Sequence, residues 1–424
     1  MNSNLEQLAS KLRIATTYSD GGLTKKNYVV NDKTIKFFVQ ALGYKAGNDK
    51  QIQDSMAEIE NKRWRQALEP IYVCVKNNLI IDVVSSDLSD ISIVAKDETG
   101  TERKLDYNYM QNAENRGLLY KESLRITTAL EIGYYNLEVA VSGKKYTTVL
   151  AVAPEKCYDV INDKKIWGYA LQLYSLKSKR NWGIGDFTDL QNFVKLCAKD
   201  GADVIGLNPL NTLSHDHPEE ASPYSSISRE FLNPIYIDVE KVPEYESKDK
   251  EEIETLLNEL RSSELIKYGK IYPLKVSILK KCFARFKQSK DTNRIKSYDV
   301  FCKKHGEALD KLAAFQSIYE DKTKEVWGGW RAWPEELKSP HSKGVKEFVK
   351  QNKDRVEFFK YMQFEASRQF DEVFNTIKES GLKIGLYRDL AVGVGTDSAE
   401  VWSEPDLFMQ EAGWRLSTRW TSNL

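Results

Sequence analysis

Cysteine is scarce in this sequence and forms no cluster. Five cysteines are spread over 424 residues, and no two of them make a C-x-x-C pair. A disulfide framework is marked by an even number of cysteines, and a zinc site by closely spaced pairs. We therefore expect neither, and we interpret the cysteines as small buried hydrophobic residues. They are Cys74, Cys157, Cys197, Cys282 and Cys302.

Long apolar runs and an excess of one charge are also missing. No run approaches the roughly 18 apolar residues that a membrane span needs. The N-terminal sequence MNSNLEQLASKLRI has no apolar stretch after a basic head. Because 62 basic residues balance 62 acidic ones, composition does not indicate a nucleic-acid partner. We expect a cytoplasmic protein with no membrane or nucleic-acid partner.

The common catalytic motifs are absent as well. No G-x-S-x-G, H-E-x-x-H or P-loop sequence occurs, so the usual esterase, zinc-protease and NTPase interpretations are not supported. Two glycine pairs, in residues 183–185 and 393–395, begin a dinucleotide-binding fingerprint. The third glycine is replaced by Thr188 in one and by Ser398 in the other. We expect no nucleotide cofactor.

One loop could suggest a metal site. His215, Asp216 and His217 are adjacent in the sequence, in a loop that also contains proline. Alternate residues in such a loop more often face solvent than bind a metal. We therefore expect no metal and no other cofactor.

Aromatic residues, by contrast, are plentiful. The chain has nine Trp and 22 Tyr, and several stand beside Gly, Asn, Asp or Arg. Sugar rings stack on aromatic faces while neighbouring polar groups bind the hydroxyls. Most Trp and Tyr residues belong to cores, so composition makes carbohydrate binding a candidate function and no more.

The length predicts two or three domains, and the pattern changes along the chain. Residues 1–65 have helical periodicity, with Ile35 and Val39 on one face, Asp32 as the capping residue and Gly43 as the terminator.

In residues 66–155 the period of the apolar residues becomes two. Residues 135–141 and 146–152 alternate on either side of a Ser-Gly turn, which predicts a hairpin within a small antiparallel β-sandwich.

After residue 155 the pattern is that of a β-α-β unit. WGYALQLYSL and ADVIGLNPL have the character of buried strands, and FTDLQNFVKLCAKDG that of the helix between them. Residues 240–380 are charged and mostly helical, ending at Gly381, and LKIGLYRDLAV predicts a third buried strand. If the helical part is an insertion plus a crossover helix, the third strand rejoins the same sheet. The fold class is then α/β, with a (β/α) barrel beginning near residue 160.

In such barrels, functional groups lie where strands end. The segments that follow the three predicted strands are residues 174–186, 208–229 and 388–402. We expect their polar groups to converge at one end of the sheet.

At these loops the sequence resembles a known family, the amylomaltases, which are 4-α-glucanotransferases of glycoside hydrolase family 77. The resemblance covers about residues 1–411, because the longer bacterial members carry a similar N-terminal extension. The matching segments are LQLYSLKSKRNWGIGDFTDL, IGLNPL, EASPYSSISREFLNPIYIDV, GWRAWPEEL and IGLYRDLAVGVGTDSAEVWSEPDLF.

The resemblance implies transfer of α-1,4-glucan segments between maltodextrins by a retaining mechanism in a (β/α)8 barrel. It also implies that Ser222 and Tyr224 line the donor site and that Tyr224 stacks on glucose. The alternative for Tyr224 is a packed side chain beside a turn proline. Asp397 is similar to an aspartate that supports the catalytic group, although it could also cap the helix that follows it.

Five further residues are weaker candidates within the resemblance. Asn181, Trp182 and Asp186 are candidate substrate-binding residues, but their segment could equally be a fixed turn from loop to helix. Trp330 and Trp333 could border acceptor sites or could pack in the core.

The family's catalytic carboxylates have no counterpart in this sequence. The nucleophile belongs to an Arg-x-Asp-His segment, the acid/base is a Glu, and the third carboxylate is an Asp of a His-Asp segment; none of these occurs in its expected context. Residues 156–411 would then hold three of eight strands with the insertion, and residues 412–424 resemble nothing in the family. We expect a truncated chain that is inactive alone. The alternative is a non-catalytic fragment with weak glucan binding.

Overall fold

The computed structural model describes residues 3–19, 26–157, 159, 165–214, 218–322 and 329–408. The chain divides into two compact units between residues 159 and 160. Among the described residues, no helix is both long enough and apolar enough to cross a membrane.

The first unit begins with helices around a small apolar core. The core includes Leu5, Leu8, Ile35 and Val39, which are spaced as on one helical face. Helix α2 is capped by Asn31, whose side chain accepts from the backbone N–H of Thr34. The expected cap, Asp32, is instead the first helical residue. The elements are α1 (Ser3–Lys11), β1 (Thr17–Ser19), β2 (Asn27–Val29), α2 (Asp32–Ala41) and α3 (Asp49–Arg65).

Nine strands follow and form two sheets. The five-stranded sheet has the order β3-β11-β10-β5-β6, and the four-stranded sheet joins β4, β9, β7 and β8. Inward side chains such as Ile81, Ile93 and Leu150 form one core. The strands are β3 (Ile71–Val75), β4 (Ile80–Ser85), β5 (Ile91–Asp97), β6 (Glu102–Leu105), β7 (Tyr107–Tyr109), β8 (Glu114–Arg116), β9 (Leu119–Ile126), β10 (Gly133–Val141) and β11 (Lys144–Ala153).

The predicted hairpin is confirmed, but the predicted antiparallel sandwich contains one parallel pair of strands. Strands β10 and β11 pair from Gly133↔Val152 to Val141↔Lys144. Both turn residues have positive φ, 48° at Ser142 and 75° at Gly143, as a tight two-residue hairpin turn requires. Strand β3, however, pairs with β11 in parallel. Because the two strands are far apart in the sequence, no hairpin constrains their relative direction.

The second unit contains a three-stranded parallel sheet and a set of helices, which confirms the predicted β-α-β unit. The sheet order is β12-β13-β14. Helix α10 ends at Gly381, which has φ +75°, as predicted for a helix-terminating glycine. The elements are β12 (Gly168–Leu171), α4 (Phe187–Lys199), β13 (Val204–Leu207), α5 (Lys248–Glu251), α6 (Glu254–Ser262), α7 (Tyr268–Gln288), α8 (Thr292–Lys322, interrupted at Gly306), α9 (Lys343–Gln351), α10 (Lys353–Ser380), β14 (Gly385–Arg388) and α11 (Ala399–Ser403).

The two faces of this sheet have different surroundings. On one face, Ile205 and Leu207 are buried in the core shared with Phe187 of α4 and Phe370 of α10. Alternate residues point to the opposite face. There Ala170 is exposed and Tyr387 is 68% exposed. The helices of the described chain therefore cover only one side of the sheet.

Candidate functional site

The loops that follow the three parallel strands meet at one end of the sheet. Asp389 directly follows β14, and its backbone N–H donates to the carbonyl of Leu207, the last residue of β13, at 2.9 Å. Asn208 follows β13, and its Oδ1 accepts from the backbone N–H of Leu173, beyond β12, at 3.3 Å. Parallel pairing places these three chain segments side by side.

Tyr224 reaches this point from the long loop after β13. Its hydroxyl donates to Oδ2 of Asp389 at 2.7 Å, and 54% of the residue is exposed. The hydrogen bond to the carboxylate favours the protonated phenol and, with a smaller effect of burial, raises the pKa of Tyr224. The result is an exposed aromatic ring whose hydroxyl is held in place by a carboxylate.

Ser222 lies at the start of the same turn. Its carbonyl accepts from the backbone N–H of Ser225 at 3.0 Å, and its side chain is exposed. The structure therefore presents both Ser222 and Tyr224 at the surface near the strand ends.

Asp389 is the functional candidate that the sequence reasoning missed. The only signal available was its position directly after the third predicted strand. Its partner Tyr224 is 165 positions away, so no local pattern could have linked the two residues.

An ion pair fixes the loop after β14 to the loop after β13. Arg229 donates from Nε and Nη2 to the carboxylate of Glu400, at 3.1 and 2.5 Å to Oε1, and its Nη1 donates to the carbonyl of Val392 at 2.9 Å. Bidentate pairs of this kind add orientation as well as energy. The pair therefore holds the loop that begins with Asp389 against the loop after β13.

Asp397 lies in this loop but contacts a different partner. Its Oδ1 accepts from Nη1 of Arg331 at 2.9 Å, and 54% of its side chain is exposed. It does not cap the following helix, because the side chain of Ser398 accepts from the backbone N–H of Val401 and is the cap of α11. A Cβ added at Gly329, where φ is +69°, would lie only 2.7 Å from Cγ of Asp397. Asp397 is therefore packed closely against the turn that carries Arg331.

Asn181 and Trp182 are buried, contrary to a direct role in substrate binding. Each is only 2% exposed. The amide of Asn181 donates to Asp189 at 2.8 Å, and the indole N–H of Trp182 donates to Glu240 at 2.9 Å. Both side chains hold the loop after β12 in place. This supports the alternative interpretation of the segment as a fixed turn from loop to helix.

Asp186 is also structural. It is 2% exposed and is the N-cap of α4, where it forms a reciprocal capping box with Asp189. Arg180 contacts Asp186 at 2.5 Å, Asp189 at 2.9 Å and Asp238 at 2.7 Å. These contacts leave Asp186 no surface to offer a ligand.

The burial of Asp186 leads to a pH-dependent prediction. Burial raises its pKa to about 6, although Lys275 and Arg180 act in the opposite direction. This folded-state pKa lies above the ordinary value of 3.8, so the folded state binds the proton of Asp186 more tightly than the unfolded state does. The protonated carboxyl group therefore contributes its full stabilisation below about pH 4, and this contribution is lost as the pH rises to about 6. In urea denaturation, the stability of the wild type relative to Asp186→Asn should fall by up to about 3 kcal/mol over this range. Asparagine keeps the cap.

A difference between the wild type and Asp186→Asn that stays flat over this pH range would contradict the assigned effect of burial.

Trp330 and Trp333 pack in the core. They are 5% and 3% exposed. Trp333 contacts the rings of Phe315 and Trp402, with centroids 5.4 and 6.3 Å apart, and the indole of Trp330 donates to the carbonyl of Thr396 at 3.1 Å. The alternative of core packing is supported for both.

Two features remain from the sequence, a loop with two histidines and the glycine pair at residues 183–185. His215, Asp216 and His217 lie outside the described residues, and the described residues contain no group of three or more possible metal ligands. Gly185 is required by close packing, because a Cβ there would lie 2.0 Å from the carbonyl oxygen of Leu173. This glycine is thus explained without a nucleotide.

Comparisons with known proteins agree on one family. A family model described as 4-alpha-glucanotransferase matches residues 171–413. The 4-alpha-glucanotransferase of Haemophilus influenzae is 30% identical over 97% of this chain, and that of Mycobacterium tuberculosis is 27% identical over 96%. The chain spans 58% of the length of each relative. The amylomaltase structure from Corynebacterium glutamicum superposes with a TM-score of 0.78 and 25% identity, covering 95% of this chain and 56% of that one.

Proposed function

We propose that this chain takes part in the transfer of α-1,4-glucan segments between maltodextrins, because it belongs to the 4-alpha-glucanotransferase family. One observation carries the proposal. The exposed ring of Tyr224 and the carboxylate of Asp389 meet at the carboxyl ends of parallel strands, within the segment that the family model matches.

The chemistry of this pair suits a sugar. An aromatic face stacks on the apolar side of a pyranose ring, and a carboxylate accepts hydrogen bonds from its hydroxyls. Since Asp389 already orients Tyr224, the platform is arranged before a ligand arrives, which lowers the entropic cost of binding. We assign Tyr224 and Ser222 to the donor side of the site.

Asp397 is proposed to have a positioning role. It lies in the loop held by Arg229 and Glu400 and is paired with Arg331. By this pairing it would keep the loop after β14 in register with the turn at residues 329–333. Asn181, Trp182 and Asp186 would fix the loop after β12 in the same indirect way.

The proposed architecture is a (β/α)8 barrel, of which β12, β13 and β14 are the first three strands. The exposed face that carries Ala170 and Tyr387 would become the inside of the barrel, because side chains of alternate strand residues fill a barrel interior. Residues 1–65 would be the N-terminal helical region, residues 66–155 the β-sandwich, and residues 156–411 the barrel part.

The proposed mechanism is retaining. A carboxylate would attack the anomeric carbon, and a second carboxyl group would protonate the leaving sugar and later activate the acceptor hydroxyl. Within residues 1–424 we assign no residue to either role. The chain alone is therefore proposed to be inactive, with non-catalytic glucan binding as the alternative function.

Replacing Tyr224 tests the site. Tyr224→Ala should abolish maltoheptaose binding at the strand ends, because the ring supplies the stacking surface. Tyr224→Phe keeps the ring and loses only the hydrogen bond to Asp389, so it should keep affinity within about tenfold. Isothermal titration calorimetry measures both.

The control is Tyr387→Ala, a change at another exposed tyrosine of the same unit. It should leave the affinity for maltoheptaose unchanged in this chain. Equal binding by the wild type and the folded Tyr224→Ala variant would overturn the assignment of Tyr224.

A further inference from the structure

A cleft lies in the first unit, within residues 1–159. It has a volume of about 780 Å³ and opens between the helical region and the β-sandwich. Its walls come from the ends of α1 and α3 on one side and from β4, β8 and β9 on the other. Sites for small molecules are commonly concave regions of this kind between packed substructures.

Trp64, in the last turn of α3, lines this cleft in an unusual way. It is partly exposed, yet it belongs to neither apolar core of the described first unit. Its indole N–H makes no hydrogen bond, and its ring makes no ring contact, with the described part of the chain. A Trp that stabilised the fold would pack against a core or donate its N–H. Trp64 does neither, and the exposed part of its side chain lines the cleft.

The polar side chains around Trp64 offer both donors and acceptors. Among the described residues, Arg13, Lys62 and Arg63 form no ion pair, and neither does the carboxylate of Glu114. These groups are therefore not occupied by one another.

Other charges in the cleft are already paired. Glu60 bridges Lys11 at 2.8 Å and Arg116 at 3.6 Å, and Asp82 pairs with Lys121 at 3.0 Å. Of these pairs, Glu60–Arg116 joins α3 to β8 across the cleft, whereas the other two lie within the helical region and within the sandwich. The cleft thus combines a fixed frame with unpaired groups.

We propose that this cleft binds an α-1,4-glucan chain. A polyhydroxyl ligand accepts hydrogen bonds from guanidinium and ammonium groups, donates to carboxylates, and stacks on Trp64. An anion would be attracted by the unpaired basic residues, but it would use neither the indole face of Trp64 nor the carboxylate acceptor of Glu114. The choice of an α-1,4-glucan among polyhydroxyl ligands rests on the proposed function.

The test uses the full chain labelled with fluorotryptophan. The fluorine resonance of Trp64 is identified by its loss in Trp64→Phe and is followed during titration with maltoheptaose. We expect this resonance to shift equally in the wild type and in Tyr224→Ala. By calorimetry in the Tyr224→Ala background, Trp64→Ala should weaken binding by about tenfold or more. Trp167→Ala is the control, since Trp167 is a 48% exposed Trp of the second unit, and it should have no effect.

The outcomes separate the two sites. A Trp64 resonance that maltoheptaose leaves unmoved, or that inorganic phosphate moves in its place, would overturn the cleft proposal. Dependence of the Trp64 shift on Tyr224 would do the same. If Trp64 responds while Tyr224→Ala changes no other glucan-dependent signal, the cleft proposal is supported and the proposed site at Tyr224 is refuted.

Discussion

Residues 1–424, purified and incubated with maltotriose, should release no glucose above a buffer control. A retaining transfer needs two carboxyl groups about 5 Å apart across the scissile bond, one ionised and one protonated. In the loop that begins at the end of β14, each candidate carboxylate already has a partner. Asp389 accepts from Tyr224, Asp397 from Arg331 and Glu400 from Arg229.

The expected deficit is large because, in the proposed function, no residue of this chain fills either chemical role. Removing members of a nucleophile and acid/base set that act together lowers turnover by about a millionfold, or roughly 8 kcal/mol of barrier. Glucan binding at Tyr224 would survive, since binding and chemistry depend on different groups.

The assay requires a host that lacks its own enzyme of this activity, with glucose and longer maltodextrins both measured. The 4-alpha-glucanotransferase of Haemophilus influenzae, prepared in the same way, is the positive control. Robust turnover by residues 1–424 would show that the carboxylates of this chain do perform the chemistry, and the assignment of none of them as catalytic would be wrong.

The second large effect concerns a buried ion cluster in the helical part of the second unit. Arg294, on α8, pairs with Glu244, Nε to Oε1 at 2.9 Å, and with Glu365 of α10. The exposures of these side chains are 8%, 9% and 0%. The guanidinium also lies 4.6 Å from the centroid of Phe364. Arg294 thus bridges two carboxylates in the interior.

Replacing Arg294 by Met should destabilise this unit by about 3–5 kcal/mol. Methionine fills much of the same volume, so the loss comes chiefly from the buried carboxylates. Glu365 would keep Arg368 at 2.9 Å, and Glu244 would keep only the hydroxyl of Tyr361 at 2.7 Å as a close polar partner from this cluster. Urea denaturation followed by circular dichroism measures the change.

A matched control is Arg355→Met. Arg355 pairs with Glu320 at 3.0 Å, but these side chains are 29% and 37% exposed, so the change should cost no more than about 1 kcal/mol. A similar small loss for Arg294→Met would show that the buried cluster contributes no more than a surface pair.

The sequence by itself determined those elements that depend only on residues close together in the chain. Strands β12, β13 and β14 and helix α4 were predicted because buried apolar runs and a helical period are visible within a dozen residues. Gly381 ended α10, and Ser142-Gly143 turned the hairpin, because both positions need a positive φ. The family resemblance was readable from the sequence for a different reason. It depends on the identity of residues in loops, not on how they fold.

Where two neighbouring residues could serve the same local role, the sequence did not choose between them. Asn31 caps α2 instead of Asp32, and Ser398 caps α11 instead of Asp397. Each pair offers two side chains with similar capping ability, and the backbone path into the helix selects one.

Burial and long-range pairing were decided only by the tertiary structure. Asn181, Trp182 and Asp186 have residue types that bind sugars, but Glu240 and Arg180 engage Trp182 and Asp186 inside the fold. Likewise, Tyr224 meets Asp389 only because parallel strands carry both loops to the same end of the sheet. Side-chain availability depends on contacts between segments far apart in the chain, and no local pattern encodes which segments will meet.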